Sequence, residues 1–297
     1  MIFDKIVKHD KLSDIRHPRG IPVPYLIADI PHLISSCKGE AMNTKQDFIA
    51  VFDSGVGGVS VLRELRALMP GERFYYFGDS ANAPYGKKTT EQVRALTLAA
   101  GKKLLIDRDC KALVVACNTA TAAAIIELRA EYPDRIIVGI EPALKLACDR
   151  HPGGTIGIMA TDVTLREKKL AALMERVKRD CRVLRVHAPG VVELVEQGKC
   201  DTPEAVELMQ KLLGEYVGAL DALVLGCTHY PFMKKAMGIV LGDGVELLDG
   251  GEGTARETRR RLAEAGLLWE DKGDLIVENS SADPEKIALT MALLDAK

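Results

Sequence analysis

From Phe48 to the C-terminus, short aliphatic runs alternate with stretches of helical periodicity, and this alternation restricts the fold more than any other property of the chain. The runs are FIAVFD, RFYYFGD, ALVVAC, RIIVGIE, TIGIMAT, RVLRVHA, ALVLGC, VELLDG and LIVENS. Unbroken Val, Ile and Leu over so few residues mark strands buried on both faces, hence parallel pairing beneath two layers of helices. Between them, helices are expected near 57–69, 90–106, 119–131, from Pro142, near 164–179, 190–197, 203–219, from Pro231, near 252–265 and from Pro284. The expected class is α/β with mainly parallel sheets flanked by helices.

Two of the strands read as copies: ALVVAC, ending at Cys117, and ALVLGC, ending at Cys227. The echo extends upstream, where IAVFDSGVGGVSVL (49–62) parallels IGIMATDVTLREKK (156–169): a strand, a polar turn with Ser54 or Thr161, then a helix. Two related halves follow from this repetition. The expected pseudo-symmetric domains are residues 47–140 plus 250–297, and residues 141–249. Ligands of such sheets bind beyond the carboxyl ends of the strands. Both cysteines lie there, so the active site is expected in the cleft between the domains.

Composition excludes several function classes. A net charge of −2 provides no field to gather nucleic acid or anionic lipid. The basic stretch 166–182 carries Leu170, Leu173, Met174 and Val177 at helical spacing, so its charges read as one solvated helix face. No apolar run approaches the roughly 18 residues of a membrane span, and no secretory leader is visible. Seven cysteines, without CxxC or Cys/His finger spacing, do not read as a disulfide framework or a metal site. They fit a reducing cytoplasm, with Cys110, Cys148 and Cys181 as small hydrophobes in or beside the core. Residues 1–46 show no sustained period. Lys38-Gly39-Glu40 must be encoded AAR-GGN-GAR, a purine-rich string like a ribosome-binding site just ahead of Met42. Met42 is therefore the expected native start, and residues 1–41 a translated leader.

Each repeated cysteine ends a strand just before a helix. Asn118, Thr119 or Thr121 is placed to cap the first helix, and Thr228 or His229 the second, with Pro231 in its first turn. Free backbone N–H groups then face the sulphur, an environment expected to lower a thiol from its ordinary pKa of about 8.5. The same groups suit a carboxylate ligand. A redox pair, a metal site and a single thiol nucleophile with His229 as base are each conceivable. Two cysteines facing one another between pseudo-symmetric halves suit a different chemistry, in which one thiolate removes a proton from carbon and the other thiol returns one on the opposite face.

FDSGVGGVSVL, GDSANAPYG, ACNTATA and GCTHYP closely resemble motifs of the glutamate racemases in the cofactor-independent aspartate/glutamate racemase family, in the family's order and across residues 47 to 290. The resemblance implies racemisation of glutamate without pyridoxal phosphate, metal or nucleotide, in a cytoplasmic homodimer that feeds peptidoglycan synthesis. It implies Cys117 and Cys227 as the catalytic acid/bases, assisted by Asp53 and His229. Substrate would be held by Asp53, Ser54, Tyr85, Gly86, Asn118, Thr119, Thr228 and His229, whose hydroxyl and amide donors suit two carboxylates. Gly55, Gly57 and Gly58 read as a tight, closely packed turn rather than a phosphate cradle, and Lys87 and Lys88 as solvated lysines. Ala188 stands where many relatives have cysteine. Thr161 and Thr164 keep the family's two threonines. Aspartate racemisation, or a non-catalytic binding role on this fold, are the alternatives.

Overall fold

The computed structural model describes residues 44–166, 168–177 and 180–296. Residues 1–43, including Met42 and the expected leader, lie outside the described residues. Nine strands were expected and nine form among the described residues, all within one compact unit. The first sheet has the order β4-β3-β1-β2-β9, from β1 (Ile49–Asp53), β2 (Arg73–Gly78), β3 (Ala112–Val115), β4 (Ile136–Gly139) and β9 (Asp274–Asn279). The second is ordered β6-β5-β7-β8, from β5 (Thr155–Ala160), β6 (Arg182–His187), β7 (Ala222–Gly226) and β8 (Glu246–Asp249).

Every pairing is parallel. Matching β1 to β5, β2 to β6, β3 to β7 and β4 to β8 makes the two orders the same, with β9 added beyond β2. Register agrees as well: Ile49 lies beside Ala112 in one sheet, and Ile156 beside Ala222 in the other. The sequence echo is thus an architectural one. Cys117 and Cys227 follow equivalent central strands.

The helices are α1 (Val59–Leu68), α2 (Thr90–Lys102), α3 (Asn118–Glu131), α4 (Leu144–Arg150), α5 (Asp162–Arg166), α6 (Lys168–Val177), α7 (Val191–Glu196), α8 (Pro203–Leu213), α9 (Lys234–Leu241), α10 (Gly251–Glu264) and α11 (Pro284–Asp295). Two helix starts differ from expectation in ways that matter. The chain after Cys227 does not enter an α-helix at Pro231; it makes a tight 3-10 turn over Tyr230–Met233, and α9 starts at Lys234. The helix after Cys117 is capped by the cysteine itself, whose sulphur accepts the Ala120 N–H.

Strand side chains point alternately to the two faces of each sheet, and both faces are buried. One cluster joins the two halves, bringing Val51, Val114 and Tyr76 together with Met159, Leu225 and Tyr230. A second cluster around Phe52, Leu113 and Tyr85 covers the other face of the first sheet. Ile156, Val224 and Leu144 anchor a third on the second sheet. The cysteine reading needs one correction. Cys148, in α4, and Cys181, just before β6, are joined in a disulfide with their Cα atoms 5.6 Å apart. Sequence spacing did not reveal the pair because the fold, not a local motif, brings the two segments together.

At the amino ends of β2 and β3 a charged pair is wholly buried. Lys111 Nζ donates to Glu72 Oε2 at 2.6 Å and to the carbonyls of Lys45 (2.6 Å) and Leu267 (3.0 Å). Glu72 Oε1 accepts the Trp269 N–H at 2.8 Å. Burial draws the lysine's pKa down while Glu72 opposes the shift. The pair ties the start of the described chain to the segment leading into β9. Removing one partner strands the other charge in the core, so Lys111→Met is expected to lower unfolding free energy by about 3–5 kcal/mol. Urea denaturation measures this, and a loss below about 1 kcal/mol would show that water reaches the site.

Candidate active site

A cavity of about 160 Å³ opens at the carboxyl ends of the central strands of both sheets. It is lined by residues from both repeats, among them Ser54, Tyr85, Gly86, Cys117, Asn118 and Thr119 from the first and Cys227, Thr228 and His229 from the second. All the expected site residues except Asp53 form its wall. Asp53 ends β1 beneath that wall and is fully buried. Its Oδ1 accepts the Gly55 N–H and its Oδ2 the Thr228 hydroxyl, both at 2.9 Å. Burial raises the carboxyl pKa, against the opposing pull of His229 and these donors.

The two sulphurs have different surroundings. The Cys117 thiol donates to Ser54 Oγ at 3.5 Å, and Cys117 Sγ accepts the Ala120 N–H at 3.4 Å. The helix terminus was expected to lower this thiol. Burial, reinforced by the Asp53 carboxylate, instead pushes it up to about 12, outweighing both hydrogen bonds. Cys227 Sγ lies 3.7 Å from His229 Nδ1. His229 Nε2 is 2.9 Å from Glu196 Oε1, which also accepts the Val56 N–H at 2.9 Å. Glu196 can only accept, so Nε2 carries the proton and Nδ1 faces the sulphur. Burial works against a charged imidazole, but the bonds to Cys227 and Glu196, with the Asp53 charge, carry the His229 pKa well above its ordinary value.

Glu196 was not among the residues expected at the site. It ends α7 in the stretch VVELVEQG, and no motif there marks its direction. Burial favours its neutral form, yet His229, Lys286 and the Val56 N–H together hold its pKa at about 2. Asp79 is a second omission, following β2 in GDSANAPYG. It accepts the Tyr85 hydroxyl at 2.6 Å and two bonds from Asn82, which orders the loop carrying Tyr85 and Gly86. A third is a cluster of hydroxyls: Thr119 Oγ1 lies 3.1 Å from Thr161 and 3.4 Å from Thr164, with 3.1 Å between the latter two. Thr161 and Thr119 both line the cavity, one from each half. The repeat itself pointed to Thr161, which stands where Ser54 stands in the first copy.

The glycines serve close packing, as expected. A Cβ at Gly57 would lie 2.4 Å from His229 Nδ1 and 2.7 Å from Thr228 Oγ1. One at Gly86 would press on Thr161 at 3.1 Å. Ser60 Oγ, at the start of α1, lies 2.9 Å from the carbonyls of both Gly57 and Thr228 and shares its one proton between them. The turn of the first repeat is therefore seated directly on the Cys227 loop of the second. Lys87 is exposed, but it is paired: its Nζ is 2.6 Å from Glu193 Oε1 across the cavity rim.

Residues 58–258 match the Asp/Glu/hydantoin racemase family. The chain belongs to that family. This racemase is 45% identical over 258 residues to a glutamate racemase of Clostridium botulinum, an alignment covering 86% of this chain and all of the relative. Among solved structures it resembles glutamate racemase from Thermus thermophilus in complex with beta-chloro-D-alanine, at 38% identity and a TM-score of 0.70, covering 86% of this chain and 95% of that one. It also resembles Escherichia coli glutamate racemase in complex with L-glutamate and the activator UDP-MurNAc-ala, at 28% identity and a TM-score of 0.75, covering 84% and 94%.

Packing around Gly57 gives a direct test of the racemase site. Gly57→Ala forces the His229 ring or Thr228 to move, and misplacement on that scale costs on the order of 10²-fold in rate. The expected result is that loss in kcat with an unchanged far-ultraviolet circular dichroism spectrum. Wild-type turnover would show that the ring position is unimportant.

Proposed function

We infer that this racemase interconverts L-glutamate and D-glutamate by proton transfer at Cα between two cysteines, supplying D-glutamate for peptidoglycan. The observation that carries the mechanism is the placement of Cys117 and Cys227 after equivalent strands of two sheets with the same order, both lining one cavity. A substrate of either hand needs an acid/base on each face of its α-carbon. In one direction a thiolate takes the Cα proton, leaving its electron pair delocalised into the α-carboxylate. The opposite thiol then gives its proton to the other face, and the two cysteines end with exchanged protonation states. No electron leaves the substrate and no group is transferred.

The surroundings divide the labour. His229, held by Glu196, donates from Nδ1 toward Cys227 when charged and stabilises negative sulphur there. Among the described residues Cys117 has no such imidazole; its high pKa suits it to begin as the thiol, and Asp53, whose charge acts on it, is the group proposed to assist when the roles reverse. Ser54, Asn118, Thr119 and the Thr228 backbone N–H (its hydroxyl being given to Asp53) supply donors for the substrate carboxylates, and the Tyr85-Gly86 loop lines the cavity from the side of the first sheet. The proposed domains are residues 47–140 plus 250–297, and 141–249, since each range carries one of the two sheets. A homodimer in the cytoplasm is the proposed setting. Among the described residues, no helix is long and apolar enough to cross a membrane.

Cys117→Ala and Cys227→Ala are each expected to lower racemisation by about 10²–10⁴-fold or more while the protein stays folded. Circular dichroism of the substrate follows the rate from either enantiomer. Each variant keeps one cysteine, so exchange of the α-proton with deuterated solvent should persist for one enantiomer only. Near-wild-type racemisation by either variant would refute the two-base mechanism. Turnover of aspartate in preference to glutamate would refute the substrate.

A further inference from the structure

We propose that Lys286, on the C-terminal helix α11, is a positioning residue: it locks the Glu196 carboxylate that orients His229, and so tunes the Cys227 half of the reaction and not the Cys117 half. The proposal rests on the two-cysteine reading of the site. Its basis is the division of Glu196's hydrogen bonds. Oε1 is occupied by His229 and the Val56 N–H. Oε2 accepts from Lys286 Nζ at 2.6 Å, and the same ammonium donates to the Glu196 backbone carbonyl at 3.0 Å. One cation therefore spans the main chain and side chain of a single residue. That fixes the carboxylate's torsion angles as well as its charge.

Three features separate this contact from an ordinary surface ion pair, which contributes little. First, its side chains are mostly buried, at 25% relative exposure for Lys286 and 14% for Glu196, and the ring beyond them is at 4%. Second, Lys286 stands in the first turn of α11, where the helix dipole disfavours a cation. The helix gains nothing from a lysine there, whereas the Glu196 carboxylate does. Third, the contact joins distant parts of the chain: α11 follows the edge strand β9 of the first sheet, and α7 follows β6 of the second. Among the described residues Cys117 has no counterpart: its sulphur is bonded to Ser54 and the Ala120 N–H. The groups acting on Glu196 are His229 and Lys286 as cations, the Val56 N–H, and the Asp53 carboxyl and Tyr76 phenol beneath the turn.

The sign of the effect follows. Without the Lys286 charge, Glu196 protonates at higher pH, and its hold on His229 fails earlier as the solution is acidified. Held at about 2 in the parent enzyme, Glu196 stays ionised near neutral pH even after that rise, so the effect there is lost orientation of His229, and kcat is expected to fall by about tenfold or more in Lys286→Met. Because enantiomers are equal in energy, kcat/KM must change equally in both directions. The directional signature therefore appears in kcat and in the primary isotope effects measured with C2-deuterated L- and D-glutamate. The isotope effect should rise for the enantiomer whose Cα–H faces Cys227 and not for the other. Lys286→Arg, which keeps the charge beside Glu196, should restore both kcat and the isotope effect.

Equal losses of kcat from both enantiomers, with neither isotope effect changed, would make Lys286 a packing contact and overturn the proposal. So would wild-type behaviour of Lys286→Met. Should Lys286→Met fail to fold, Lys286→Gln and Lys286→Arg carry the same comparison, and identical isotope effects in both would likewise overturn it. Failure of the underlying reading looks different. It appears in the parent enzyme, as absence of glutamate racemisation or as its survival in Cys227→Ala.

Discussion

Parallel hydrogen bonding at the centre of each sheet is the constraint on which the site depends. Because β1, β2 and β3 run in one direction, their carboxyl ends share one edge, and the same holds for β5, β6 and β7. Whatever follows those strands must gather there. Ser54, Asp79 and Cys117 follow the first three; Thr161 and Cys227 follow β5 and β7, and His187 ends β6. The chain thus acquires two equivalent rims of polar residues without any motif that brings them together locally. The unbroken aliphatic strands behind them exclude water from the rest of the structure.

Within this symmetric frame the two cysteines are made unlike by their neighbours. Cys117 caps a regular helix, and burial, with the Asp53 charge adding to it, keeps its proton in place. Cys227 opens onto a 3-10 turn, whose tighter winding leaves His229 beside the sulphur and turns Nε2 toward Glu196. A reversible proton transfer between enantiomers needs two bases, not two identical bases. Glutamate has different groups on its two carbon substituents, and an asymmetric pair of walls is what such a ligand meets.

Cross-connections between the repeats keep the walls in place. The glycine turn of the first repeat lies too close to His229 and Thr228 to admit a methyl group, and Ser60 bonds to the Thr228 carbonyl. Asp53 reaches the Thr228 hydroxyl from below, and Lys286 reaches Glu196 from the C-terminal helix. These contacts are short, buried and directional. They place the His229 ring by packing and hydrogen bonding together, so its orientation does not rest on one bond.

The strand–helix alternation, the duplication and the paired cysteines were determined by the sequence alone, because each is a local pattern: period, repeat and residue type. Cys117, Cys227, Ser54, Asn118, Thr119, Thr228 and His229 stood out for that reason, as residues just after buried strands, whereas Tyr85 and Gly86, and every substrate-binding role, were implied only by the resemblance to the family's motifs. Glu196, Lys286, Asp79 and the Cys148–Cys181 disulfide were legible in neither way. Glu196 sits on an ordinary amphipathic helix, Lys286 in a first turn that nothing nearby distinguishes, and their partners are remote in the chain. Nor could local sequence foresee that Asp53 lies beneath the cavity, or that burial reverses the effect of a helix terminus on the Cys117 thiol. Those outcomes depend on desolvation and on which elements cross, and only the tertiary structure decides them.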